Sequence, residues 1–92
     1  MYSGINDSVD LSKKLLEICT PLVRHPDSLR VERTSDEKKA QSYLITCRPD
    51  DLGRLLGRNG TISDSLRAIV NVALRPVRKK ASIIFKANPE SR

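Results

Sequence analysis

The chain has 92 residues and a mass of 10.3 kDa, enough for one domain around one core and too short for a deep cleft between two lobes. Hydrophobic residues make up 38% and charged residues 30%, as in ordinary soluble chains, and no apolar run approaches the roughly 18 residues of a membrane span. The net charge of +6 is confined to one half: residues 1–47 hold seven basic and seven acidic residues, whereas residues 48–92 hold ten basic and four acidic ones. Such an asymmetry points to a polyanionic partner, with a chance imbalance of a solvated surface as the alternative.

The opening residues, MYSGINDSVDLSKK, carry acids before any base and do not resemble a signal peptide, so a cytoplasmic location and no membrane partner are expected. Flexible ends are expected at 1–7 and 88–92, around a single domain at 8–87. Asp7 or Ser8 is suited to cap a first helix, in which Leu11, Leu15, Ile18, Cys19 and Leu22 recur on one face. Pro21 tightens its last turn and Pro26 lies past its end. Residues 28–34 alternate Leu29, Val31 and Arg33 with polar neighbours, as a half-buried strand does. A charged loop at 35–40 separates it from a second strand at 41–48, and the short connection implies an antiparallel hairpin.

Pro49, Asp50 and Asp51 suit the start of a short helix carrying Leu52, Leu55 and Leu56 on its apolar side. Gly57-Arg58-Asn59-Gly60 interrupts the helical pattern. Thr61 is placed to cap the next helix, with Asp64 completing a weak capping box. Ile62, Leu66, Ile69, Val70 and Ala73 repeat there at helical spacing, and Pro76 marks its end. Residues 80–87 form a last strand with Ala81, Ile83 and Phe85 on one face. The order α-β-β-α-α-β gives an α+β fold, a three-stranded sheet with helices packed on one face.

Chemistry concentrates in Leu55 to Ile62. A four-residue turn between helices needs positive φ or close backbone approach, which glycine supplies. Glycines on both sides leave backbone N–H groups open next to a helix N-terminus, a phosphate-attracting arrangement, and Arg58 adds a mobile cation. A bare helix-turn-helix corner would also carry two glycines. The surrounding helices, flanking strands and basic second half favour phosphate contact.

Nothing supports catalysis. His25 is the single histidine and falls between a helix and a strand; Cys19 and Cys47 fall on apolar faces and suit buried thiols. Asp50, Asp51 and Asp64 suit helix starts better than a carboxylate pair. No Walker A loop occurs and no cofactor is implied. The segment Arg75 to Lys80 is either a second phosphate-contact patch or a solvated turn. Tyr2, Tyr43 and Phe85 are the only aromatic residues, too few for base-stacking platforms.

The stretch LGRLLGRNGTISDSLRAIV, beginning at Leu52, resembles the signature of the type II KH domain, whose GXXG loop clamps single-stranded nucleic acid. Small size, a single unit and the segment PLVRHPDSLRVE ahead of it resemble the small bacterial KhpA family over roughly residues 8–87. The resemblance implies Gly57 and Gly60 as the loop glycines, with Arg58 and Asn59 facing phosphates. Leu55, Leu56 and the helix start at Thr61, Ile62 and Ser63 would wall a groove for about four nucleotides. Arg54, Arg58 and Arg67 would assist, and bases would be read along the second strand from Ile45 to Arg48. Many KH domains carry an aliphatic residue three positions after the second glycine; here that residue is Ser63, and Ile62 comes one earlier. Implied partners are single-stranded RNA, a second copy of the chain, a larger KhpB-type KH protein and the ribosome. The implied role is post-transcriptional regulation or RNA chaperoning. The competing possibility is a dimerisation or docking module for which RNA contact is secondary.

Overall fold

The computed structural model describes residues 9–88; the candidate caps Asp7 and Ser8, the expected tail at 1–7 and residues 89–92 lie outside the described residues. The first helix, α1, spans Ser12–Cys19. Its entry is held by Asp10, whose Oδ1 accepts the Ser12 N–H at 2.9 Å and the Ser12 hydroxyl at 2.6 Å. Leu15 and Cys19 are buried, with Leu11, Ile18 and Leu22 packed beside them, the face that the spacing predicts. Pro21 lies in a 3₁₀ turn, Thr20–Leu22, which tightens the helix end.

Strand β1 runs Arg30–Asp36 and β2 runs Ala40–Cys47. Pro26–Ser28 forms a 3₁₀ turn, so β1 begins two residues later than the alternation suggests. The antiparallel ladder continues past an irregularity between Arg33 and Ser35 to pair Asp36 with Gln41, reducing the expected charged loop to residues 37–39. The short helix α2 spans Leu52–Leu56, entered through a 3₁₀ turn at Pro49–Asp51. Helix α3 spans Thr61–Ala73, and β3 spans Lys80–Ala87. Because the chain returns through two helices, β3 pairs parallel to β2, with Tyr43 opposite Ile83 and Ile45 opposite Phe85. The sheet order is β1-β2-β3, and β2 is central. This is the expected α+β arrangement with a three-stranded sheet; the sheet is mixed, and the described residues include three α-helices. Asn88, expected in a flexible tail, instead donates its N–H to the Cys47 carbonyl at 2.6 Å and extends the ladder.

The core joins Tyr43, Ile45, Cys47 and Ile83 of the sheet to Leu15 and Cys19 of α1, Leu55 of α2, and Leu66 and Val70 of α3. Each large side chain contributes roughly 1.5–3 kcal/mol by leaving water. The buried arc of α3 is Ser63, Leu66 and Val70, continued by Leu74 just past the helix. It corrects the sequence reading, in which Ile69 and Ala73 faced inward: Ile69 is 47% exposed and Ala73 also faces solvent. The apolar arc of this helix is wider than the layer beneath it.

A polar cluster ties the chain start to the sheet. Tyr43, fully buried, donates its hydroxyl to Gln41 Oε1 at 2.6 Å and accepts the Leu11 N–H at 2.9 Å. Gln41 Nε2 donates to the Val9 carbonyl and to Asp36 Oδ1. Lys79 reaches the same Asp36 oxygen at 2.6 Å, fastening the β1–β2 hairpin to the α3–β3 turn. Among the described residues no helix is long and apolar enough to cross a membrane.

Candidate nucleic-acid interface

Helix α2 ends in the turn Gly57–Gly60, whose backbone is unusual at three of its four residues. Gly57 has φ 75° and ψ 170°, Asn59 has φ 58°, and Gly60 has φ 76°. Glycine adopts these angles at little cost, and asparagine is among the residues that tolerate the left-handed region. The Gly60 N–H donates to the Gly57 carbonyl at 3.2 Å, closing the turn. Arg58 and Asn59 point into solvent, and Arg58 has no ion-pair partner among the described residues.

Gly57 is also a contact. A Cβ there would lie 2.7 Å from Ile62 Cγ1, so the first turn of α3 packs directly on this backbone. Ile62 is half-buried against the core. Ser63, at the position where an aliphatic residue is common, is buried and donates its hydroxyl to the Gly60 carbonyl at 3.0 Å. It serves to close the turn from beneath. The helix N-cap is Gly60 in the left-handed region, and no side chain caps it; Thr61 is already the first helical residue, which corrects the capping role given to Thr61. The Thr61 carbonyl accepts from Ser65 Oγ at 2.9 Å.

The remaining candidates divide. Leu55 is fully buried and supports the turn from within, so its side chain cannot wall a groove; Leu56 is half-buried beside it. Arg54 is partly exposed; it donates to the Asp50 carbonyl at 3.1 Å and lies 3.8 Å from Asp51. Arg67 joins α3 to β3: it donates to the Ile83 carbonyl at 3.2 Å, pairs with Asp64 at 3.5 Å and lies over the Phe85 ring at 5.5 Å. Of the stretch expected to read bases along β2, Thr46 and Arg48 are half-exposed and the other two residues are not accessible. That strand is bonded on both sides, and Ile45 and Cys47 are fully buried. The edge strand against which α2 and α3 pack is β3.

Two features escaped the sequence reading. Asp51 is wholly buried, and its two carboxylate oxygens accept the N–H groups of Arg24 and His25 at 3.0 Å each. This bond pins the loop after α1 to the start of α2 and so fixes where the turn begins. Two adjacent aspartates before an apolar run signal a helix start, but nothing in them tells which one is buried. His25 in turn meets Asp50 Oδ2 at 3.0 Å, a loop histidine as its place in the chain suggests. The ligand-type atoms of His25, Asp50 and Asp51 lie within 4.8 Å of one another, but backbone N–H groups occupy Asp51, and the guanidinium groups of Arg48 and Arg54 flank the two carboxylates and balance their charge. The second feature is Asn71. It donates to the Ala81 carbonyl at 3.3 Å and accepts the Ala81 N–H at 2.9 Å, so an amide side chain completes part of the outer edge of β3.

A family model for the KH domain of KhpA/KhpB matches residues 12–85, from the start of α1 to Phe85. The chain belongs to this KhpA/KhpB family of KH domains. It is 33% identical over 61 residues to the RNA-binding protein KhpA of Lactiplantibacillus plantarum, covering 66% of this chain and 71% of the relative. It is 37% identical over 59 residues to the protein of that name from Oceanobacillus iheyensis, covering 63% and 77%. With that of Halalkalibacterium halodurans it shares 32% over 72 residues, covering 77% and 93%. No solved structure matches the chain.

Proposed function

We propose that this KH domain binds single-stranded RNA by seating the phosphate backbone against the Gly57–Gly60 turn. The observation that carries the proposal is the turn itself: three residues at positive φ, two of them without side chains, and Arg58, with no ion-pair partner among the described residues, beside the start of α3. Its relatives of 32–37% identity carry the name RNA-binding protein. Arg54 and Arg58 supply cations, Leu56, Thr61 and Ile62 flank the turn, Ser63 holds it in place, and Arg67 fastens α3 to β3 beside it. Base contact falls to the exposed edge of β3 around Phe85 rather than to β2. With no aromatic platform, affinity comes from backbone and apolar contacts and weakens with salt. Regulation of messages, RNA chaperoning or ribosome association would each use this one contact.

The test is fluorescence anisotropy with short single-stranded RNA, comparing the wild type with Arg58→Asp/Asn59→Asp. Circular dichroism confirms that both fold. The double variant is expected to lose at least about ten-fold in affinity, since two acids oppose the phosphates. Equal binding by a folded variant would refute the clamp.

A second reading rests on α3. Its exposed residues are Thr61, Asp64, Ser65, Ala68, Ile69, Val72 and Ala73, and beyond Asp64 in the first turn they are uncharged, with Val72 54% exposed. An exposed stretch of this kind around Ile69 and Val72 suits self-association or docking onto a larger KhpB-type protein. Ile69→Asp/Val72→Asp would then lower the mass observed by analytical ultracentrifugation while leaving RNA affinity unchanged.

A further inference from the structure

The end of the molecule opposite the glycine turn carries a cluster of cations that the proposed clamp does not use. Helix α3 starts at the turn and ends at Ala73, so its far end stands roughly 20 Å away at 1.5 Å per residue. Beyond it, a 3₁₀ turn at Arg75–Val77 leads to Arg78, held in the left-handed region at φ 61°, and then into β3. The β1–β2 hairpin comes alongside: the Lys80 N–H donates to the Lys39 carbonyl at 3.0 Å, and Lys79 is bound to Asp36 at 2.6 Å. Two chain segments some forty positions apart are thus locked together, and their lysines and arginines share one surface.

Lys38, Lys39, Arg75, Arg78 and Lys80 make no ion pair among the described residues, and all five are exposed. Of the two acids present, Asp36 is occupied by Lys79 and Arg33, which leaves Glu37. The surface is concave. An open recess of about 590 Å³ lies between the hairpin and the turn, and a second of about 340 Å³ lies against α3; Arg78 and Lys79 line both. A cation after a helix is ordinarily explained by the helix dipole. That accounts for Arg75 but not for the hairpin lysines or Lys80. The edge of β3 connects the two ends, with Arg67 half-exposed midway.

We propose that Lys38, Lys39, Arg75, Arg78 and Lys80 form a second phosphate-binding surface, which takes up the single strand after it leaves the Gly57–Gly60 turn. The inference deepens the RNA-binding reading and rests on it for the identity of the polyanion. Its consequence is a length requirement: an RNA filling only the turn is indifferent to the distal cations, whereas a longer strand releases several more counterions by reaching them.

The test uses the full chain and fluorescein-labelled single-stranded RNA of about 5 and about 15 nucleotides, at several salt concentrations. The variant is Lys38→Gln/Lys39→Gln/Arg75→Gln/Arg78→Asn; asparagine is chosen at 78 because it tolerates the left-handed backbone, and Lys79 is kept because it holds the hairpin. The variant is expected to bind the short RNA within about two-fold of the wild type and the long RNA about ten-fold or more weakly. Its slope of log K against log salt should fall by roughly 0.7 for each phosphate that is no longer neutralised. Equal affinity and equal salt slope on the long RNA would overturn the proposal, as would a wild type whose affinity does not rise with RNA length. Failure of the clamp reads differently: Arg58→Asp/Asn59→Asp would then bind the short RNA as the wild type does, while the length and salt effects of the distal variant persist. A wild type that binds neither RNA overturns both.

Discussion

Ile62 occupies the space that a side chain on Gly57 would need. A Cβ at Gly57 would stand 2.7 Å from Ile62 Cγ1 and 2.8 Å from the Ile62 backbone nitrogen, with φ at 75°. At Gly60 the φ is 76°, but the nearest atom, Ser63 Oγ, is 3.6 Å away, an ordinary contact. The two glycines of the turn are therefore not equivalent. Gly57→Ala combines backbone strain with a collision, at a cost of about 3–5 kcal/mol. Gly60→Ala carries the backbone strain alone, about 1–2 kcal/mol. Urea denaturation of the two variants should show that order, and equal losses would refute the packing argument.

Asp51→Asn tests the bond that sets the start of α2. The carboxylate accepts two N–H groups, from Arg24 and His25, in a fully buried setting. An amide offers one oxygen and turns its own NH₂ toward the second donor. The expected loss is about 2–3 kcal/mol, read as a lower urea midpoint at an unchanged m-value.

Acid sensitivity should trace to Asp36. Hydrogen bonds from Lys79 and Gln41, and the charges of Lys79 and Arg33, hold its carboxyl below the usual carboxylate range. A folded pKa below the unfolded one means stability that is present above about pH 4 and lost as pH falls through the folded value. The wild type should therefore lose more stability between pH 7 and pH 3 than Asp36→Asn does. Parallel pH profiles of the two proteins would refute the assignment.

The two thiols should be inert in the native state. Burial pushes the Cys19 thiol up to about 11, and burial likewise raises Cys47. Neither should react with a thiol-specific disulfide reagent at pH 8 until denaturant is added, after which both should. Prompt labelling of the folded protein would show that one of them is exposed.

Much of this was legible in the residues. The hairpin and the face carrying Ala81, Ile83 and Phe85 follow from period-two alternation and from connection length; the parallel pairing of β3 with β2 is seen only in the structure. The glycine turn was legible because glycines cluster where φ must be positive. Its supporting contacts were not. Ile69 and Leu74 lie on the same broad apolar arc, and only the layer beneath decides that Leu74 is buried and Ile69 exposed. Ser63 sits in a helical pattern like any surface serine, yet it is buried because the Gly60 carbonyl needs a donor. Base reading along the second strand is what the family resemblance implies, and sequence order does not state that this strand is central with Ile45 and Cys47 buried. Asp51 illustrates the same limit: charge marks a helix start, and burial comes from a loop twenty-six positions away.

The amide of Asn71 bears on how this protein avoids its own kind. An edge strand with free N–H and C=O groups invites a strand from another molecule, and an unguarded edge of this sort is a route to aggregation. Asn71 occupies both backbone groups of Ala81, and Arg67 occupies the carbonyl of Ile83, so one helix blocks the first half of the β3 edge to any incoming strand. The hydrogen bonds from α3 stop there. The stretch left accessible, from Phe85 to Ala87, is the one in register with Ile45 to Cys47, whose chain continues into α2 and the glycine turn. Protection against strand invasion and access for a ligand are thus divided along a single strand by two side chains of α3.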